Sequence, residues 1–198
     1  LVSATGSTRM GKAVGTAVGA RLGKSILELG GNNAIIIAPS ADLKMAIAAT
    51  IFGSVGTAGQ RCTTTRRLIV HSDVYEQVKS ELLRLYPKLP IGSPLEQGNL
   101  VGPLIDKDAV ANFNNALTSV QAEGGKLIYG GTVITDGELA KGNFVVPAIV
   151  EAENHYEMVQ HETFAPILYL LKYEGEVTNA IAIQNGVKQG LSSSIFTT

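Results

Sequence analysis

SILELGGNNAIIIA, residues 25–38, decides the architecture of this chain. Residues 34–38 carry no polar side chain, which marks a strand covered on both faces, not one alternating between core and solvent. Gly30 and Gly31 separate it from an earlier strand, SILEL, whose last carboxylate is Glu28. Two strands joined this closely, the second buried on both sides, point to a sheet flanked by helices.

Reading outward confirms that alternation. Upstream, LVSATGS reads as a strand feeding a helix from Thr8 to Leu22, with Ser7 or Thr8 as N-cap. Gly11, Gly15, Gly19 and Gly23 line one face of that helix, and Arg9, Lys12 and Arg21 make it a soluble helix packed closely on a sheet. Downstream, Asp42 opens a helix through Leu43, Ile47 and Ile51 that fades into the glycines at 53–59. RRLIVH is a strand, DVYEQVKSELLRLY a helix, and residues 89–103 a Gly/Pro loop. A helix over Asp108–Ala122, strands at KLIYGG, FVVPAIV and FAPILYLLKY, a helix at EVTNAIAIQN and a last strand at LSSSIF complete the chain. Strands alternating with helices predict an α/β fold with a mostly parallel sheet.

Composition narrows the classes. The chain has 198 residues, 45% hydrophobic and 17% charged, with a net charge of −1. That suits a folded core and excludes a disordered chain. It offers no basic footprint for nucleic acid. No apolar stretch is long enough to span a membrane. One cysteine permits no internal disulfide, which suits a reducing compartment. The first and last residues both read as mid-fold strands, so a piece of a longer protein is expected.

Three short motifs carry chemistry. GSTRMGK (residues 6–12) nearly spells a phosphate loop, but Ala13 stands where the Mg²⁺-holding hydroxyl belongs. What remains is a strand, a Gly-Ser turn and a helix N-terminus, which reads either as a site for an anion or as an ordinary capped helix. Glu28, at a strand's C-terminal end, either faces solvent or points into a cleft where α/β sites gather. TAGQRCTTTRR (57–67) holds Cys62 between Arg61 and the pair Arg66–Arg67. Flanking cations favour a thiolate, so Cys62 reads equally as a nucleophile or a buried thiol. His71, His155 and His161 are dispersed without metal-ligand spacing, and no metal site is expected.

The ordered set of Thr5-Gly6-Ser7, Glu28-Leu29-Gly30-Gly31, Gly59-Gln60-Arg61-Cys62, Glu162-Thr163-Phe164 and GLSSSIFT (190–197) resembles the NAD(P)-dependent aldehyde dehydrogenase superfamily. LELGGNN, GTAGQRCTT and HETFAPILY are similar to its antiquitin branch, whose members act on α-aminoadipic semialdehyde. The resemblance implies an aldehyde dehydrogenase-like fold. Residues 1–28 would end a Rossmann-like cofactor domain, and residues 29–198 would form a nucleophile-bearing domain truncated at its C-terminal end.

It also implies roles. Cys62 would attack the aldehyde and Glu28 would activate water. Thr5, Gly6, Ser7, Leu29, Gly30, Gly31, Glu162 and Phe164 would hold NAD, with NADP as the alternative. Chemistry, not the resemblance, adds Arg61 and Thr63 as substrate-binding candidates: Arg61 beside the nucleophile either pairs with a distal carboxylate, or only tunes Cys62 or packs on the surface. Ala4 departs from the family's usual aromatic. An oxyanion-holding asparagine and the oligomerisation strand lie in family segments that this chain lacks, so by itself the fragment is not expected to turn over. At full length the resemblance implies a homo-oligomer, dimer or tetramer, in the cytoplasm or, in a eukaryote, the mitochondrial matrix. A CoA-acylating enzyme and a non-catalytic relative are the alternative classes.

Overall fold

The computed structural model describes residues 1–198 throughout. Two sheets organise it. Strands β1 (Val2–Thr5) and β2 (Ser25–Glu28) form a parallel pair bridged by helix α1 (Thr8–Ala20). The remaining strands are β3 (Asn33–Ile37), β4 (Thr65–His71), β5 (Lys126–Tyr129), β6 (Ala148–Glu151), β7 (Ile167–Tyr173) and β8 (Ser193–Phe196). They build one six-stranded sheet in the order β5-β6-β7-β4-β3-β8. Every pairing in it is parallel except β5 with β6 at one edge. The expected α/β architecture with a mostly parallel sheet is what the chain adopts.

The central strands explain the continuous apolar runs. All residues of β3 and β4 are buried. Helices α2 (Leu43–Val55), α3 (Ser72–Leu85), α4 (Lys107–Ala122) and α6 (Val177–Asn185) cover the sheet, and α5 (Glu157–Gln160) is a single turn. Ile36, Ile37, Leu68, Ile69, Leu82, Phe113 and Ile149 are fully buried in one core. Each such side chain contributes about 1.5–3 kcal/mol. Asp42 caps α2 by accepting from the Met45 N–H at 3.1 Å, and Ser7 caps α1 by accepting from Met10 at 3.2 Å.

The structure differs from the sequence expectations in three places. FVVPAIV pairs as a strand only from Ala148, because Pro147 has no N–H to give a ladder; Val145 makes one bridge to Val133. The glycine stripe of α1 is a packing surface only in part. A Cβ on Gly11 would come within 2.5 Å of the Leu29 methyls, whereas one on Gly19 would meet nothing. Helix α2 does not fade: it stops at Val55 and gives way to a tight turn at Gly56–Gly59.

β1 and β2 run in register, Thr5 opposite Glu28, and the Gly6 N–H donates to the Glu28 carbonyl at 3.0 Å. The Gly6-Ser7 turn and the Glu28-Gly31 exit therefore emerge side by side at the strands' C-terminal ends, where α/β folds collect ligands.

Candidate active site

The approach to Cys62 is strained. Thr57 (φ 56°) and Ala58 (φ 52°) are left-handed, followed by Gly59 (φ 71°). Left-handed backbone costs roughly 1–2 kcal/mol for each non-glycine residue and persists only where packing enforces it. Enforcement is visible. Ala58 is fully buried, and a Cβ on Gly59 would run into the Ala165 carbonyl. The Gln60 amide donates to Thr57 and Pro103 carbonyls (3.3 and 3.2 Å), and its oxygen accepts from the Ile105 N–H (2.9 Å).

The chain then turns at 61–64, closed by the Thr64 N–H donating to the Arg61 carbonyl (3.1 Å) and the Arg61 N–H donating to Thr64 Oγ1 (3.1 Å). The carbonyls of this turn are held by two buried side chains. Asn33 Nδ2 donates to Cys62 and Thr64 carbonyls at 2.7 and 2.8 Å. Arg66 Nη1 donates to Thr64, and Nη2 to Arg61, at 3.1 and 3.0 Å. No protein acceptor takes the N–H of Cys62 or of Thr63. Cys62 is exposed, so the buried-thiol alternative does not hold.

Glu162 reaches the same place from the loop after α5. Its Oε1 accepts from the Gly31 N–H at 3.0 Å and lies 3.3 Å from Arg66 Nη2. The two glycines after Glu28 are spaces that other groups occupy. A Cβ on Gly30 would collide with the Glu162 carboxylate, and one on Gly31 would sit 2.7 Å from the Cys62 carbonyl. A short segment thus touches both the cysteine turn and Glu162 while carrying Glu28 at its start.

A cleft of about 730 Å³ opens beside this junction, lined by residues 7–9, 27–30, 161–162 and 188–191. It gathers Ser7, Glu28, Leu29, Gly30 and Glu162, five of the residues singled out from sequence. Thr5, Gly6 and Gly31 are outside its lining; Thr5 pairs with Glu28 across the two strands, and the Gly31 N–H donates to Glu162. Phe164, 45% exposed, lines a second cavity of about 730 Å³ with Thr57, Gln60 and the Pro94–Ile105 loop. Arg61 and Thr63 are exposed and line neither; the Arg61 guanidinium stacks on Phe52, 5.6 Å from its centroid. No cluster of His, Cys, Asp or Glu is arranged to hold a metal ion, and no helix is long and apolar enough to cross a membrane.

Sequence reasoning overlooked Asn33 and underrated Arg66 and Arg67. Both arginines are buried at the head of β4. The register between β3 and β4 slips there: Asn33 pairs with Thr65 and Ala34 with Arg67, leaving Arg66 as the extra residue of a bulge. Bulges re-aim side chains. Arg66 points to the cysteine turn and Glu162. Arg67 points to the Asn32 carbonyl, Asn154 and the end of α6. Burial pulls the Arg66 guanidinium below its ordinary value, while the charges of Glu162, Cys62 and Tyr169 oppose that. Arg67 has no carboxylate partner, and burial lowers it to about 10. Arginines opening a core strand were the available signal, since buried charge must be paired or fully hydrogen-bonded.

The family model "Aldehyde dehydrogenase family" matches residues 1–198. Aldehyde dehydrogenase family 7 member A1 of Pisum sativum is 50% identical over 197 residues, covering 100% of this chain and 38% of the relative. Alpha-aminoadipic semialdehyde dehydrogenase of Bos taurus is 47% identical over 198 residues, 100% of this chain and 36% of the relative. A crystal structure of betaine aldehyde dehydrogenase from Staphylococcus aureus in complex with NAD+ superposes with a TM-score of 0.96 at 25% identity, covering 100% of this chain and 39% of that one. The chain thus spans little more than a third of the length of these relatives.

Proposed function

This chain belongs to the aldehyde dehydrogenase family, and from that premise we propose that it carries the nucleophile and general base of an NAD(P)-dependent aldehyde oxidation. The observation that supports this most is the Cys62 turn. An exposed thiol stands on a loop whose carbonyls are held away by buried side chains, leaving the Cys62 N–H free.

The Cys62 thiolate attacks the aldehyde carbon, forming a C–S bond and an oxyanion. The Cys62 N–H donates to that oxyanion; one such donor is worth about 10²–10³ in rate. Bound NAD(P)+ would supply the hydride acceptor, and loss of that hydride would leave Cys62 carrying a thioester. Glu28 takes a proton from water, and the resulting hydroxide displaces Cys62 as thiolate and releases the carboxylic acid.

The residues present fit such a cofactor. Gly30 leaves the Glu162 carboxylate a place on the cleft wall, its Oε2 making no hydrogen bond within the protein. Gln189 Oε1, buried on the same wall, also lacks a protein donor. Both suit ligand hydroxyls or amides. Ser7 and the start of α1 would take the pyrophosphate. Glu162 would take the ribose hydroxyls, and Phe164 would pack near the nicotinamide.

The names of the relatives suggest a semialdehyde, α-aminoadipic semialdehyde foremost. In that case Arg61, beside the nucleophile, pairs with the distal carboxylate, and Thr63 is a second substrate contact. The test is a full-length protein carrying this chain, assayed on a panel of semialdehydes with NAD+ and NADP+, with and without CoA. Aldehyde-dependent reduction of the dinucleotide without CoA is expected. No reduction on any aldehyde overturns the reading, and a strict need for CoA replaces hydrolysis with acyl transfer.

A further inference from the structure

Arg66 touches both halves of the site through one rigid group. Its Nη2 is shared: 3.0 Å from the Arg61 carbonyl, one residue before Cys62, and 3.3 Å from Glu162 Oε1. Its Nη1 holds the Thr64 carbonyl on the far side of the same turn (3.1 Å), and its Nε holds the Thr163 carbonyl next to Glu162 (3.1 Å). The Phe164 ring covers the guanidinium at 5.3 Å. The side chain is 1% exposed, whereas Glu162 is 19% exposed and opens on the cleft.

A planar guanidinium cannot answer these partners independently. Any hydroxyl that binds the Glu162 carboxylate draws on the charge that Arg66 also lends to the Arg61 carbonyl. A displacement of Glu162 is likewise carried to the turn. The bulge in β4 that re-aims Arg66 is the local feature that makes this contact.

We propose that Arg66 is a positioning residue that couples occupancy of Glu162 to the reactivity of Cys62, so that a diol bound at Glu162 resets the nucleophile turn. The inference rests on the reading above, in which Glu162 binds the cofactor ribose. Arg66 touches neither substrate nor cofactor in it; it acts through the carbonyls of Arg61 and Thr64.

The test uses the full-length protein and the rate at which iodoacetamide labels Cys62, with and without ADP-ribose. This probe carries the ribose diol but no nicotinamide ring to cover the thiol. In the wild type, saturating ADP-ribose is expected to change the labelling rate by at least about fivefold, the lower end of ordinary coupling between sites. In Arg66→Lys, which keeps the charge but loses the fork, the ratio is expected to fall to within about twofold of unity. Binding is verified by calorimetry in the same samples. Glu162→Gln, altered at the more exposed end, is expected to lose the ratio too and decides the matter if Arg66→Lys does not fold.

A wild type that binds ADP-ribose without a change in labelling overturns the inference while leaving the proposed reaction standing. So does a folded Arg66→Lys, or in its absence a Glu162→Gln, that keeps the wild-type ratio. Failure to bind any dinucleotide or ADP-ribose, with no aldehyde oxidised, overturns the reading and the inference together.

Discussion

Arg66 and Arg67 follow one another on β4, both out of contact with solvent, yet they serve different parts of the molecule. Arg67 ties the core together: its six donated bonds run to the Asn32 carbonyl, Asn154, Ile183 and Gln184, joining the entry to β3 with the C-terminal end of α6. A cation at a helix C-terminus is favourably placed against the helix dipole, which helps explain its burial without a carboxylate. Arg66 shares its guanidinium between a backbone turn and a carboxylate that opens on a cleft. Two identical side chains, one residue apart, are separated by a bulge into a structural joint and a joint between two halves of a site. Burial alone does not tell the two apart; the partners do.

The largest effect that sharpens this contrast belongs to Arg67. Arg67→Met strips hydrogen bonds from the buried Asn32 carbonyl and from part-buried acceptors on Asn154, Ile183 and Gln184, each worth about 1–3 kcal/mol when orphaned in the interior, and is expected to cost about 3 kcal/mol or more in urea unfolding. Arg67 also carries a pH signature. Burial holds its folded value, about 10, below the ordinary guanidinium range, so above pH 10 the folded state binds fewer protons than the unfolded one. Stability from this group is therefore level below about pH 10 and gained as pH climbs from there. The stability difference between wild type and Arg67→Met should stay flat through neutral pH and widen above 10. A near-neutral Arg67→Met would break the comparison by removing its structural side.

Phe164→Leu comes next. It removes the aromatic face over Arg66, worth about 0.5–1 kcal/mol at a partly exposed site, and thermal unfolding should register a loss of that size. Smallest is Arg61→Ala. Arg61, the third arginine of the stretch, is exposed and stacks only on Phe52, so the change should stay within about 0.5 kcal/mol of wild type. Its effect should appear instead in kcat/KM, falling more on α-aminoadipic semialdehyde than on a neutral aldehyde of similar length. Equal losses on both would remove Arg61 as a carboxylate anchor.

Most of the fold was legible in the sequence because its central strands are uniform. Residues 34–38 and Leu68-Ile69-Val70 could only belong to a sheet covered on both faces, and both do. Asp42 and Ser7 announced their helices by chemistry that the structure repeats. Of the residues that the ordered motifs single out, the cleft brings Ser7, Glu28, Leu29, Gly30 and Glu162 together, while Cys62 lies outside its lining.

What escaped was non-local. Nothing in GTAG foretells left-handed backbone at a β-branched Thr57, because the packing that enforces it comes from residues 103–105 and Ala165. Asn33 carried no local signal of a role. Its amide in fact holds the Cys62 and Thr64 carbonyls, and its oxygen accepts from the Ser192 N–H at 3.1 Å, a partner 159 residues away. Arg66 and Arg67 read as flanking cations because a bulge is a property of two strands at once.

The central claim is that Cys62 is the nucleophile, and trapping its intermediate tests it most directly. The full-length protein is mixed with α-aminoadipic semialdehyde and NAD+, quenched in acid during turnover, digested and weighed peptide by peptide. The peptide containing Cys62 should gain the mass of the acyl group, and Cys62→Ala should show neither the adduct nor NADH. An adduct on another residue, or sustained NADH formation by Cys62→Ala, would contradict it.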